Sequence, residues 1–261
     1  MRIGIDARLT HYSQAGISQY IQRLLVELPR LDPAVDWRVV VSRKQARPPA
    51  NALRAWTPCH HRLERWALGL ELWPRGLDLL HSPDFIPPTL GARRHVITVH
   101  DLNFVHYPQF LTAESLRYYA GQIQWAVRRA DHILADSEKT RTDLLELLNV
   151  PPEKVTTVLL AADERFRPGV DPTPALLRYR LDPGYLLCVG TLEPRKNIPA
   201  LLQAYRVLLD RDRLNAPLVL VGRRGWLADE IFATIESLQL AERVRLLEDV
   251  RDADTLVQLC E

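Results

Sequence analysis

The sequence predicts an α/β chain of two doubly wound units on parallel sheets, the second incomplete, and three observations carry this. Short runs rich in Val, Ile and Leu recur through the first part of the chain: "RIGIDA" at 2–7, "WRVVVS" at 37–42, "LDLLHS" at 77–82, "HVITVHD" at 95–101, "HILADS" at 132–137 and "VTTVLL" at 155–160. Stretches of helical period lie between them at 17–28, 113–130 and 138–148. Finally, "ERFRPGVDPTPALLRYRLDPG" at 164–184 gathers Pro and Gly with little apolar period before the alternation resumes, as a connection between domains does.

Each element has a physical reason. Nearly continuous apolar runs suit strands covered by helices on both faces, and a strand that reaches the next strand through a helix is set parallel to it. The second unit reads as strand 185–190, helix 198–210, strand 217–222, helix 227–238, strand 243–247 and a last helix beginning near Asp252. That is about half of a doubly wound domain, and residue 261 falls within a helical pattern, so the sequence is expected to be truncated at its C-terminus. The expected domains are 1–168 and 169–261.

Composition narrows the function classes. With 47% hydrophobic residues among 261, the chain can bury a sizeable core. Lys+Arg 34 against Asp+Glu 32 leaves a net charge of +2, so no global field recruits nucleic acid and the basic residues need individual reading. Cys59, Cys188 and Cys260 are far apart, with neither a zinc spacing nor an even count for a disulfide framework, which fits a reducing compartment. No basic leader and no run near the ~20 apolar residues that span a bilayer is present, so the reading is cytoplasmic. The pair His60-His61 lacks the i, i+4 geometry and carboxylate partners of a metal site.

Ligands of open parallel sheets sit at the carboxyl ends of strands, where helix N-termini present unpaired N–H groups. In "YLLCVGTLEPRKNIPALLQAY", residues 185–205, Gly190 lets the chain turn out of a strand, Pro199 suits a first helical turn, and Arg195 and Lys196 add two charges beside the helix end. The loop is built like a seat for a diphosphate; the alternative is a solvated basic pair. Gly16 opens the helix at 17–28 either to admit a ligand to the backbone or simply as a helix-start glycine. No GxGxxG follows the first strand, which supplies only Gly4, so nicotinamide binding is disfavoured. His100 and Asp101 end a strand at the carboxyl edge. His81 fits a structural hydrogen bond, Ser137 an N-cap, and Glu138 is a minor candidate. The stretch 55–76 holds Trp56, Trp66 and Trp73 with several arginines: it either packs on its own domain or lies on a membrane surface, and Glu64, Glu71 and Asp78 dilute its positive charge.

"VGTLEPRKNIPALLQAY" resembles the signature of glycosyltransferase family 4, whose members are retaining enzymes of the GT-B fold, a pair of Rossmann-like domains, and use nucleotide-diphosphate sugars. "GIDAR", "AGISQY", "DLLHSPDFIPP" at 78–88, "TVHDLNFVHYP" at 98–108, "RADHILADSEKTRTDL" at 129–144 and "LVLVGRRGW" at 218–226 agree in order and spacing. The resemblance implies an acceptor-side first domain and a donor-binding second domain. It implies that Arg195 and above all Lys196 bind the donor phosphates beside Gly190, while Glu193 and Asn197 shape the loop, and that backbone groups near Asp249 and Val250 meet the nucleobase. His100 would contact the transferred sugar or align the acceptor, and Asp101 would orient the acceptor hydroxyl or cap its loop. The resemblance also implies that Gly16 is a donor-binding position, although it departs from the pattern, since many relatives carry two glycines where this chain has Ala15-Gly16.

The implied function is transfer of a hexose such as mannose or glucose, with retention, from a GDP- or UDP-sugar to a cell-envelope polysaccharide or lipid-linked acceptor. No metal or further cofactor is implied, and peripheral contact with the inner face of a membrane is. As the glycosyl–phosphate bond breaks, charge grows on the diphosphate, where the cations and helix dipole stabilise it. The family's glutamate pair would fall beyond Glu261, so residues 1–261 alone are expected to be nearly inactive. Two alternatives stand beside this: a GT-B sugar-nucleotide epimerase, and a non-catalytic sugar-nucleotide-binding or interaction protein.

Overall fold

The structure, a computed structural model, describes residues 1–12 and 16–261. The chain divides into two compact units, Met1–Leu160 and Ala161–Glu261.

In the first unit the order is β1 (Arg2–Asp6), α1 (Gly16–Leu31), β2 (Asp36–Ser42), β3 (Ala52–Ala55), α2 (Glu64–Leu72), β4 (Leu77–Ser82), β5 (Ala92–Val99), α3 (Asn103–His106), α4 (Ala113–Arg129), β6 (His132–Ala135), α5 (Glu138–Leu148) and β7 (Val155–Thr157). The seven strands form one parallel sheet in the order β3-β2-β1-β4-β5-β6-β7. The chain therefore works outward from β1 to β3 and then returns to the other side of β1, so the sheet reverses direction between β1 and β4, where loops leave on opposite faces and open a crevice. Ile5, Leu80, Ile97 and Ile133 are at most 2% exposed in the central strands, which explains their unbroken apolar runs.

The second unit contains α6 (Thr173–Tyr179), β8 (Leu186–Val189), α7 (Ile198–Asp210), β9 (Leu218–Val221), α8 (Asp229–Ser237), β10 (Val244–Leu247) and α9 (Ala253–Cys260). Its sheet is parallel, in the order β10-β9-β8. Leu202, Tyr205 and Ile231 of α7 and α8 pack on one face, and Ala175, Tyr179 and Leu259 of α6 and α9 pack with Val219 and Val221 on the other.

Three expectations change. The strand read at 155–160 stops at Thr157; Val158 N–H still bonds the Ala135 carbonyl at 2.8 Å, but Leu159 and Leu160 are exposed. The stretch 164–184, read as a bare connection, contains α6: seven residues make less than two turns, too few to show a period, yet Ala175 and Tyr179 are buried. The units divide after Leu160 rather than after 168, because the Arg165 ion pair with Asp254 and the Gly169 N–H bond to Glu261 tie that segment to the second unit. Strand β3 had no counterpart in the sequence reading; four residues pairing at the sheet edge carry little alternation.

Candidate functional site

The carboxyl edge of the second sheet is built on glycines. Gly190 and Gly222 leave β8 and β9 with φ of 155° each, and a Cβ on Gly222 would lie 1.9 Å from the Gly190 carbonyl oxygen, so only glycine fits. The two exits then run side by side: Gly190 N–H bonds Val221 O at 2.9 Å, Leu192 N–H bonds Arg223 O at 3.0 Å and Gly225 N–H bonds Leu192 O at 2.9 Å. A 3-10 turn at Pro194–Lys196 and Asn197, at φ 49°, deliver the chain into α7, anchored by buried Ile198.

This framework sets the charges. Arg195 donates to the Glu193 carboxylate at 2.6 Å, so its charge is matched within the loop. The stem of Lys196 crosses Gly190, its Cε 3.7 Å from where a Cβ there would stand, and its ammonium acts on the Cys188 thiol, which burial nevertheless pushes up. Among the described residues Lys196 has no ion pair or hydrogen bond, and neither has the exposed side chain of Arg223, a residue the sequence reading quoted within "LVLVGRRGW" without a role. Arg224 beside it lies 4.1 Å over Phe232 and 3.3 Å from Glu248. At the end of β10, Asp249 accepts from Arg178 at 3.0 Å and Val250 packs against the α6–α9 layer. Adjacent strands are about 4.8 Å apart, which puts the β10 exit about 10 Å across the edge from the β8 exit. The edge can hold an extended anion over paired cations and a helix N-terminus.

At the carboxyl edge of the first sheet His100 follows β5. Its Nδ1 meets the Asp136 carboxylate at 3.0 Å and its Nε2 meets the Pro83 carbonyl at 3.1 Å. The two contacts fix the orientation of the ring at the strand exit. Tyr20 stands edge-on with its centroid 5.1 Å away, and Thr140 Oγ1 donates to the His100 carbonyl at 2.8 Å. Asp136, which follows β6, escaped the sequence reading; its signal was a carboxylate at the end of the strand next to β5. His81 bonds Thr98 Oγ1 at 2.8 Å, and burial lowers its imidazole to about 4, leaving it neutral.

The other candidates fall as follows. Both oxygens of Asp101 accept from Asn103, its N–H at 3.0 Å and Nδ2 at 2.7 Å, in a turn before α3. Gly16 begins α1, with nothing within 4 Å of its missing Cβ. Ala15, before it, lies outside the described residues. Ser137 Oγ accepts from Thr140 N–H at 3.0 Å and caps α5, and Glu138 is exposed. Among the described residues no three His, Cys, Asp or Glu side chains are grouped to hold a metal ion.

Beneath the first edge lies a buried ionic cluster. Arg8, 1% exposed, forks onto Asp6, donates to Glu64 and bonds the Thr57 carbonyl at 2.9 Å. Tyr118 Oη–H donates to the same Glu64, and His60 contacts Asp84 at 2.6 Å. Burial pushes the Glu64 carboxyl up, against the pull of Arg8. Arg8 in "GIDAR" gave no sign of this from sequence, because Glu64 and Thr57 are distant along the chain.

The sequence matches the family described as Glycosyltransferase Family 4 over residues 15–165, and that described as Glycosyl transferases group 1 over 177–261. It is 32% identical over 207 residues to the O-antigen chain mannosyltransferase B of Escherichia coli, covering 77% of this chain and 52% of that one. The chain thus spans about half the length of this curated relative. Its fold is that of WaaG, a glycosyltransferase involved in lipopolysaccharide biosynthesis, with a TM-score of 0.69 at 15% identity over 98% of this chain and 72% of that one. Anabaena Alr3699/HepE, solved with UDP-glucose, gives a TM-score of 0.67 at 15% identity, over 99% and 71% of the two chains.

Proposed function

The chain belongs to glycosyltransferase family 4, and from that premise we propose a retaining transfer of a hexose-type sugar from a nucleotide-diphosphate donor to a cell-envelope polysaccharide or lipid-linked acceptor. The observation that carries the reading is the two cations without partners among the described residues, Lys196 in the turn that leads into α7 and Arg223 on the adjoining glycine-closed turn. In this reading they hold the diphosphate, and Arg195 adds a third charge when Glu193 lets it go. Developing charge on the leaving group strengthens these contacts in the transition state, which is what accelerates a reaction. Backbone at Asp249 and Val250 faces the nucleobase. The donor is a GDP- or UDP-sugar and no separate cofactor takes part. Mannose is the first sugar to test, since the E. coli relative is a mannosyltransferase.

His100 in this reading positions rather than transfers a proton, because both ring nitrogens are already engaged, Nδ1 with Asp136 and Nε2 with the Pro83 carbonyl. It fixes the Pro83 carbonyl at the β4 exit and lies against the sugar or the acceptor, while Asp101 borders the acceptor. The protein works on the cytoplasmic side, in peripheral contact with a membrane; among the described residues no helix is long and apolar enough to cross one. Incubation with GDP-mannose, UDP-glucose and a lipid-linked glycan acceptor tests the proposal. Nucleotide release together with an α-linked product by NMR is expected, and a product of inverted configuration or no acceptor-dependent release refutes it.

A further inference from the structure

The buried ionic cluster of the first unit encloses a cavity. Asp6 ends β1 and Ser82 ends β4, paired strands at the point where the sheet reverses, and Asp84 follows in the β4 exit. Together with His60, Glu64 and Tyr118 they line a space of about 20 Å³, room for one water-sized group. Open α/β sheets take their ligands at such a reversal.

The polar groups around this space are matched, with two exceptions. Arg8 occupies both oxygens of Asp6, and Glu64 accepts from Arg8, from the His60 N–H at 2.8 Å and from Tyr118 Oη–H. Ser82 is 2% exposed, yet its Oγ has no hydrogen-bond partner among the described residues. Asp84 meets His60 Nε2 through Oδ2 at 2.6 Å, whereas its Oδ1 accepts no hydrogen bond among the described residues. An unpaired buried hydroxyl costs stability, so one retained beside an open carboxylate oxygen calls for an occupant that pairs with both. His60 adds an independent sign: its backbone is left-handed at φ 63°, uncommon for a residue with a side chain and frequent at binding sites.

The chemistry of the occupant follows from these groups. A carboxylate repels phosphate and carboxylate ligands, and an ammonium would stand beside the Arg8 guanidinium. A hydroxyl group is neutral, donates to Asp84, accepts from Ser82 and fits the space.

We infer that Ser82 and Asp84 form a subsite for a single hydroxyl group of a pyranose in the acceptor, with His60 as the positioning residue that holds the Asp84 carboxylate, and that this subsite selects among acceptor sugars. The inference rests on the family 4 reading for the acceptor being a sugar, and it assigns residues apart from His100 and Asp101.

Saturation-transfer difference NMR with methyl α-mannopyranoside and methyl α-glucopyranoside, each beside its monodeoxy analogues, tests this, with UDP binding followed on the same samples. At least one parent glycoside binds. The analogue lacking the seated hydroxyl binds about tenfold more weakly, and the other analogues bind like their parent. Ser82→Ala weakens the parent glycoside by about fivefold and leaves that analogue unchanged, because the group it would bond is already gone. Asp84→Asn weakens the parent likewise, and neither variant alters UDP affinity. Ser82→Ala removes only an unpaired buried hydroxyl and keeps its thermal stability, so it decides alone should Asp84→Asn not fold. The inference falls if neither glycoside binds, if every monodeoxy analogue binds like its parent, as when the space holds water alone, or if Ser82→Ala keeps the parent's affinity and discrimination. UDP binding without glycoside binding overturns this inference and leaves the donor reading standing; hydroxyl discrimination without UDP binding does the reverse.

Discussion

The carboxyl edges of the two sheets solve the same topological situation in opposite ways. On the first, charged groups are matched within the protein: Arg8 by Asp6 and Glu64, His100 by Asp136 and Pro83, His60 by Asp84, Asp101 by Asn103. On the second, Lys196 and Arg223 have no partner among the described residues and stand on turns that only glycine can make. A matched edge is rigid and positions; an unmatched cationic edge stores attraction for an anion it does not yet hold. The histidines follow the same division, since all eight lie at or before residue 132 and the second unit has none.

The comparison can be broken most forcefully at its buried charges. Arg8→Ala strands Asp6 and Glu64 with no cation, and urea unfolding of the first unit should lose about 3 to 5 kcal/mol. Gly222→Ala drives a methyl group into the Gly190 carbonyl and should cost the second unit about 3 kcal/mol or more, read as a separate melting transition.

Acid should separate the units next. His81 and His95 are both lowered to about 4, chiefly by burial, so each is neutral when folded and takes a proton more readily when unfolded. Stability from such a group is present above the unfolded value of about 6.5 and is lost as pH falls toward the folded value, by up to about 3 kcal/mol per histidine. The first unit should therefore lose stability between about pH 6.5 and 4 while the second changes little. His81→Asn should flatten the first unit's slope, and equal slopes in both units would contradict the account.

The smallest effects are local. Asp136→Asn removes the carboxylate from His100 Nδ1 and should cost about 1 to 2 kcal/mol, with loss of the slowly exchanging Nδ1–H resonance in NMR. Arg195→Ala should weaken nucleotide affinity clearly less than Lys196→Ala does in the same calorimetric titration, because Glu193 must first release that charge.

How much of this was legible from sequence depends on the range of the cause. Strands buried on both faces announced themselves, because Ile97 and Ile133 have apolar neighbours on every side. The 190–198 loop was legible because its glycine, proline and basic residues act within one turn. Strand β3 and helix α6 were not, being too short to show a period. Asp136 and Arg223 were missed because their meaning comes from a neighbouring strand: Asp136 lies 36 positions from His100 in the chain but one strand away in the sheet. The acids near α2 were misread for the same reason, since the sequence does not reveal that Glu64 turns inward to Arg8.

The central claim is that Lys196 and Arg223 form the diphosphate seat. Calorimetric titration of the chain and of Lys196→Ala/Arg223→Ala with UDP and GDP tests it directly. Loss of at least about a hundredfold in affinity, with thermal stability unchanged, is predicted, as two charge-assisted contacts require. Nucleotide affinity indistinguishable between the two proteins would contradict it.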